Sequence, residues 1–197
     1  MTVAVGVLAS GRGSNLQALI DYFADSRSHV AIRLVASNRE NAQALERARA
    51  AAIPAKTFTA DDDGEVLLSL LDEHRIDLLV LAGYMKRIPP RVVRAYHGRI
   101  VNVHPGLLPD FGGEGMYGAR VHAAVLASGA KTTGVTVHLV DDEFDHGPVV
   151  AQWRIGVSRD DTAESLAARV LEVEHLIYPR AVEMIAALND RNISADF

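Results

Sequence analysis

The strongest constraint in this sequence is a rhythm. Short, continuous apolar runs recur along the chain, among them Val3 to Leu8 and Leu78 to Ala82, and Ile100 to Val103 reads as another buried strand. Runs of this kind, without polar alternation, suit strands covered on both faces, as in a parallel sheet. Between them stand segments with helical spacing. Leu16, Leu19, Ile20 and Phe23 share one face of a helix, as do Leu67, Leu68 and Leu71 of another spanning Glu65 to Arg75. Further strands are expected at Val30 to Ala36, Ala55 to Phe58, Thr132 to Val140 and Pro148 to Val157. Further helices are expected at Asn41 to Ala52, Arg91 to Tyr96, Arg120 to Ala127 and Thr162 to Leu188. Strand and helix alternating this often imply an α/β fold: a Rossmann-like, open, mostly parallel sheet with helices on both faces. Ligands of such sheets bind beyond the carboxyl ends of the strands. The loops after Leu8, Ala82 and Val103 are therefore the places to look.

Composition narrows the function classes. The chain has 197 residues and a formal charge of −5, and 49% of it is hydrophobic. That length fits one domain. The charge argues against nucleic acid as a partner, since phosphate-backbone binders present a basic surface. With no cysteine, thiolate metal sites and cysteine nucleophiles are excluded. The apolar start is far short of the ~20 residues of a membrane span. It also lacks the flanks of a signal peptide. A cytoplasmic protein without membrane partners is the expectation.

The first strand runs into Gly11-Arg12-Gly13-Ser14-Asn15. Glycines allow close approach of the backbone to an anion. Ser14 and Asn15 are suited to cap the following helix, whose free amides attract phosphate. The dinucleotide fingerprint is incomplete, with Leu16 at the third glycine position and Ser37-Asn38 where an acidic residue is expected. A monophosphate fits better. The bland alternative is a tight turn with a helix cap.

At the fifth long strand, Asn102 and His104 stand two apart and so face the same side. An amide donor beside a proton-exchanging imidazole can hold an oxyanion developing on a carbonyl. A polar pair at a strand end is the competing reading. After the Thr132 to Val140 strand comes Asp141-Asp142-Glu143-Phe144-Asp145-His146-Gly147-Pro148, whose spacing matches no calcium loop. No metal is expected. If Asp145 reaches His104, it favours imidazolium and raises its pKa. His122 and His138 have no ligand-spaced partner and read as bland; His175 reads as helix packing.

These motifs in order resemble the phosphoribosylglycinamide formyltransferases. The matching stretches are Leu8 to Gln17, Leu81 to Met85, Asn102 to Pro105, Asp145 to Pro148 and Glu174 to Pro179. The resemblance implies formyl transfer from 10-formyltetrahydrofolate, the folate co-substrate, to the amine of glycinamide ribonucleotide. It implies that Gly11, Arg12, Gly13, Ser14 and Asn15 hold the substrate phosphate and that Glu174 contacts the glycinamide. Met85, Lys86, Arg87 and Ile88 would line the folate site, with Asn102 beside them. Asp141, Asp142, Glu143, Phe144 and Asp145 would form the other wall of the pterin pocket. Asn102, protonated His104 and Asp145 would be the catalytic set. Residues 1–100 would then be the ribonucleotide half, 101–188 the catalytic and folate half, and 189–197 a frayed tail, in a monomer or homodimer.

Two departures from the resembled pattern stand out. Gly106 occupies a place where Ser is common, and Thr57 to Glu73 has no basic residue where some relatives use Arg to hold an anion. Arg12, Lys86 or Arg87 are the candidates to replace it. The loop Asp110 to Tyr117 is long enough to act as a lid. A tRNA formyltransferase and a formyltetrahydrofolate hydrolase share the Asn, His and Asp core, but each would need a further domain. A non-catalytic folate or nucleotide sensor is the alternative of a different class; it would need no proton carrier.

Overall fold

The structure, a computed structural model, describes residues 2–24, 28–60 and 63–190. Among these residues seven strands form one sheet, in the order β3-β2-β1-β4-β5-β6-β7. The first half of the chain alternates β1 (Val3–Leu8), α1 (Ser14–Phe23), β2 (Val30–Ser37), α2 (Gln43–Ala50), β3 (Ala55–Thr57), α3 (Glu65–Glu73) and β4 (Leu78–Leu81). The second half continues with α4 (Pro90–Ala95), β5 (Ile100–His104), α5 (Ala119–Ala127), β6 (Thr132–Leu139), β7 (Val149–Gly156) and α6 (Ala163–Asp190). Strands β1 to β5 pair in parallel, whereas β6 and β7 run antiparallel. Strand order reverses between β1 and β4, the switch point where ligands bind in such sheets. The loops leaving these two strands are tied together there. The Ser10 amide donates to the Gly83 carbonyl, and the Met85 amide donates to the Ser10 hydroxyl.

Two apolar layers sandwich the sheet. Val5, Val7, Val80, Val101 and Val103 pack with α1, α2 and α6 on one face. Leu8, Leu34, Leu79, Leu81 and Ile100 pack with α3 and α4 on the other. The period-two alternation of strand side chains explains the split. Following the second face along β5, Ile100 is succeeded by Asn102 and His104. The apolar layer gives way to polar chemistry within one strand.

Helix α6 orders the site from behind. Leu166, Val170, Tyr178 and Val182 are fully buried at intervals of four or eight residues, and Glu174 lies on that same stripe at 7% exposure. The Tyr178 hydroxyl lies 2.8 Å from the Leu81 carbonyl oxygen and 3.1 Å from that of Val101. It fastens the helix to the ends of β4 and to β5. α6 runs to Asp190, two residues into the tail expected from residue 189, and the rest of that tail lies outside the described residues. Among the described residues no helix is long and apolar enough to cross a membrane.

Candidate active site

The first turn differs from its sequence reading in one respect. Gly13, at φ 71°, is the N-cap of α1, and no side chain caps the helix. A Cβ at Gly13 would come within 2.9 Å of the Ala44 backbone. Glycine thus serves both the left-handed turn and the contact with α2. Ser14 and Asn15 lie inside the helix, so neither takes the capping role the sequence suggested. Instead the Asn15 side-chain amide donates to Glu174 Oε2 at 2.5 Å, while Asn15 Oδ1 is buried and unpartnered. The first-turn amides of α1 keep no intrahelical acceptor, so they remain open to an anion. Arg12 is exposed. Arg47, which sequence reading missed, brings a guanidinium to the turn by donating to the Arg12 carbonyl at 2.9 Å. Its position on α2 is a product of helix packing and left no local signature.

Glu174 carries an unusual electrostatic load. Burial pushes its carboxyl up, Asn15 pulls it back, and the result is about 7. A charged group on an apolar stripe is costly unless it is partnered. Here its partner is a neutral amide.

A second cluster sits on β5 and β6. Asn102 pairs with His138 across the ladder, and His104 pairs with Thr136. Directly paired residues project to one face, so Asn102, His104, Thr136 and His138 converge. Asp145 reaches into this group at φ 55°. Its Oδ2 lies 3.3 Å from His104 Nδ1 and its Oδ1 lies 3.5 Å from His138 Nε2. The Gly113 amide donates to Oδ2 at 3.1 Å. Burial alone would raise the Asp145 carboxyl, but His138, His104 and the Gly113 amide together hold it below its usual range.

His104 departs from expectation. It is only 3% exposed, and burial outweighs the pull of Asp145, so its pKa falls. The expectation of a raised pKa, with imidazolium already present, is therefore corrected: desolvation beats the nearby carboxylate. The Asp110 to Tyr117 loop touches the buried ring. His104 Nε2 is 2.7 Å from the Phe111 carbonyl oxygen. Gly106 also has a reason. A Cβ there would meet Val121 Cγ1 at 2.9 Å and His104 Nε2 at 3.1 Å. His138, read as bland from sequence, proves to be central. The signal that would have found it is strand register, which a single sequence does not display.

The two expected walls of the folate site meet. Arg87 donates to the Asp142 carbonyl. Met85, Lys86, Asp142, Glu143 and Phe144 are exposed, whereas Ile88 is buried in the core layer beneath α3 and α4. Lys86 lines a cavity of about 330 Å³ with Asn38, Glu40 and Thr57. Arg87 and Ile88 line another of about 450 Å³ with Asp63, Arg91 and Arg94. Across from the stretch that lacks a basic residue, Arg91 supplies one, 3.1 Å from Asp63. Asp141 holds its own loop, accepting from the Glu143 amide and pairing with His146 at 2.8 Å. Among the described residues no group of three or more His, Asp or Glu side chains is arranged to hold a metal ion.

Comparison with known proteins joins these observations. The family model described as formyl transferase matches residues 3–182. The phosphoribosylglycinamide formyltransferase of Escherichia coli (strain K12) is 39% identical, over 91% of this chain and 85% of its own. This chain belongs to the phosphoribosylglycinamide formyltransferase family. A solved family structure, from Anaplasma phagocytophilum, is 41% identical with a TM-score of 0.89, covering 95% of this chain and 88% of that one. The chloroplastic enzyme of Arabidopsis thaliana is 39% identical over 96% of this chain. The chain spans 66% of that plant relative and 62% of the one from Vigna unguiculata. The fold of the family, an α/β sheet of this kind, is the one observed.

Proposed function

We propose that this chain transfers the formyl group of 10-formyltetrahydrofolate to the amine of glycinamide ribonucleotide. The observation that carries the reading, beside family membership, is the convergence of Asn102, His104 and Asp145. In the proposed reaction, the first-turn amides with Arg12 and Arg47 take the substrate phosphate. Glu174 and the unpartnered Asn15 oxygen accept from the glycinamide. Met85 to Ile88 and Asp141 to Asp145 hold the folate between them, and Lys86, Arg87 and Arg91 offset its anionic charge.

The substrate amine attacks the formyl carbon. A tetrahedral intermediate forms, and its oxyanion accepts from Asn102 and from His104. For that contact, Phe111 releases its hold on His104 Nε2. His104 takes up the proton that the attacking amine loses, and Asp145 supports the positive charge this gives the ring until the proton is passed on. The carbon–nitrogen bond to the folate breaks, and the proton lost by the amine passes to the departing folate nitrogen. Positioned proton exchange of this kind contributes ~10²–10⁴ in rate. No covalent enzyme intermediate is required. The net charge of −5 supports small-molecule substrates in a cytoplasmic setting over nucleic acid or a membrane.

The test is an assay with glycinamide ribonucleotide and 10-formyltetrahydrofolate, following tetrahydrofolate release. Turnover that depends on the ribonucleotide is expected. Its absence overturns the reading, and formate release without an acceptor would point to hydrolysis instead.

A further inference from the structure

His138 performs no step in that scheme, yet it is 2% exposed and stands between two groups that do. It faces Asn102 directly across the β5–β6 ladder. Its Nδ1 is 2.8 Å from the Leu139 carbonyl oxygen. A carbonyl only accepts, so Nδ1 carries a proton. In the neutral ring Nε2 is then bare and accepts. That nitrogen is 3.1 Å from Asn102 Nδ2 and 3.5 Å from the Asp145 oxygen. The shorter distance is to the amide, and a bare Nε2 gives Asp145 nothing to accept, so the downward pull of His138 on that carboxyl belongs to the charged ring. Were Nε2 protonated, it would turn to Asp145, and Asn102 would have to offer its oxygen instead.

The two ends of a carboxamide have nearly the same shape and opposite hydrogen-bonding character. Half a turn about its last bond would place an acceptor where the formyl oxygen gathers charge. That arrangement repels the oxyanion, whereas the amino end stabilises it. We propose that His138, as the Nδ1-protonated tautomer, is a positioning residue that locks the Asn102 carboxamide with one N–H on its own ring and the second free for the formyl oxygen. The role rests on the formyl-transfer reading above. His138 touches neither substrate in it.

The experiment combines kinetics with a measurement that needs no turnover. His138→Leu should lower kcat by ~10²–10³, the usual loss on removing one oxyanion donor. KM for each substrate should move less than about threefold, since only the transition state feels the change. His138→Gln places an acceptor oxygen where Nε2 stood and should recover kcat to within about tenfold of the parent. His138→Asn is too short to reach Asn102 and should not. Combined with Asn102→Ala, His138→Leu should cost nothing further, because both act through one group. In the free, unmodified protein, ¹⁵N spectra of His138 should show the neutral ring protonated at Nδ1 and bare at Nε2. The spectra hold whether or not the reaction is the one proposed, and they keep the inference testable if the Leu variant fails to fold. A neutral ring protonated at Nε2, wild-type turnover by His138→Leu, a Gln variant as slow as the Leu variant, or losses that add to Asn102→Ala would each overturn the proposal.

Discussion

Two buried carboxyls in this protein have opposite fates. Asp145 is held below the usual carboxylate range among two histidines and a backbone amide. Glu174 is raised to about 7 against a single neutral amide. Both pay for desolvation, so burial does not separate them. Their partners do. A carboxyl surrounded by groups able to carry positive charge stays ionised, while one facing only a dipole gives up much of its charge. The contrast divides the labour of the proposed reaction: Asp145 is a permanent anion that can steady a transient imidazolium, and Glu174 is a group whose charge is completed by an arriving amine.

The sharpest way to break this contrast is Asp145→Asn. If the permanent charge matters, kcat falls by ~10²–10⁴ while substrate binding stays largely intact. Steady-state kinetics and ligand titration check it, and normal turnover removes the proposed support of His104.

Glu174→Gln probes the other carboxyl. Its raised pKa means that the folded state prefers the neutral form. The stability this provides is complete below the ordinary value of 4.5 and is lost as pH rises through about 7. Above that range, Glu174→Gln should be the more stable protein by up to about 3 kcal/mol. At about pH 5 the advantage should be small. Thermal melts across pH would show it, and a constant difference at all pH values would mean that Glu174 is not desolvated as described.

Asn15→Ala sharpens the comparison. Asn15 is what holds the Glu174 carboxyl down, so the variant should titrate above about 7 and lose roughly 1–3 kcal/mol through a buried partner left unmade. Carboxyl NMR titration reads the first and melts the second. A fall in the Glu174 pKa would contradict the assignment.

The smallest effect belongs to an exposed pair, Arg91 and Asp63. Asp63→Asn should cost no more than ~1 kcal/mol, as solvent-screened pairs do. A larger loss in melting experiments would mean that burial is not what sets the two interior carboxyls apart from this exposed one.

How much of this was legible in the sequence depends on the range of the interaction. The runs of β1 and β4 announced a parallel sheet because strands covered on both faces have no alternative but continuous apolar residues. Asn102 and His104 were visible as a pair because their alignment needs only the period of one strand. His138 was not, since its role comes from register with β5. Nor was the depressed pKa of His104, which follows from its burial in the folded chain. Asn15 looked like a cap by residue type, but the left-handed Gly13 moved the helix start and freed its side chain for Glu174. Glu174 itself left a signal, a lone acid on the inward stripe of α6.

The Tyr178 hydroxyl, fixed to β4 and β5, makes α6 a ruler as well as a wall. Glu174 stands four residues before it, about one helical turn or ~6 Å along the axis. In the proposed reaction, one turn of helix therefore sets how far the Glu174 carboxyl stands from the ends of β4 and β5. Inserting a single residue between Glu174 and Tyr178 would swing the carboxyl about 100° around the axis. With Tyr178 held in place, the same swing carries Val170 and Leu166 off the buried stripe, so the carboxyl and the packing behind it are displaced together.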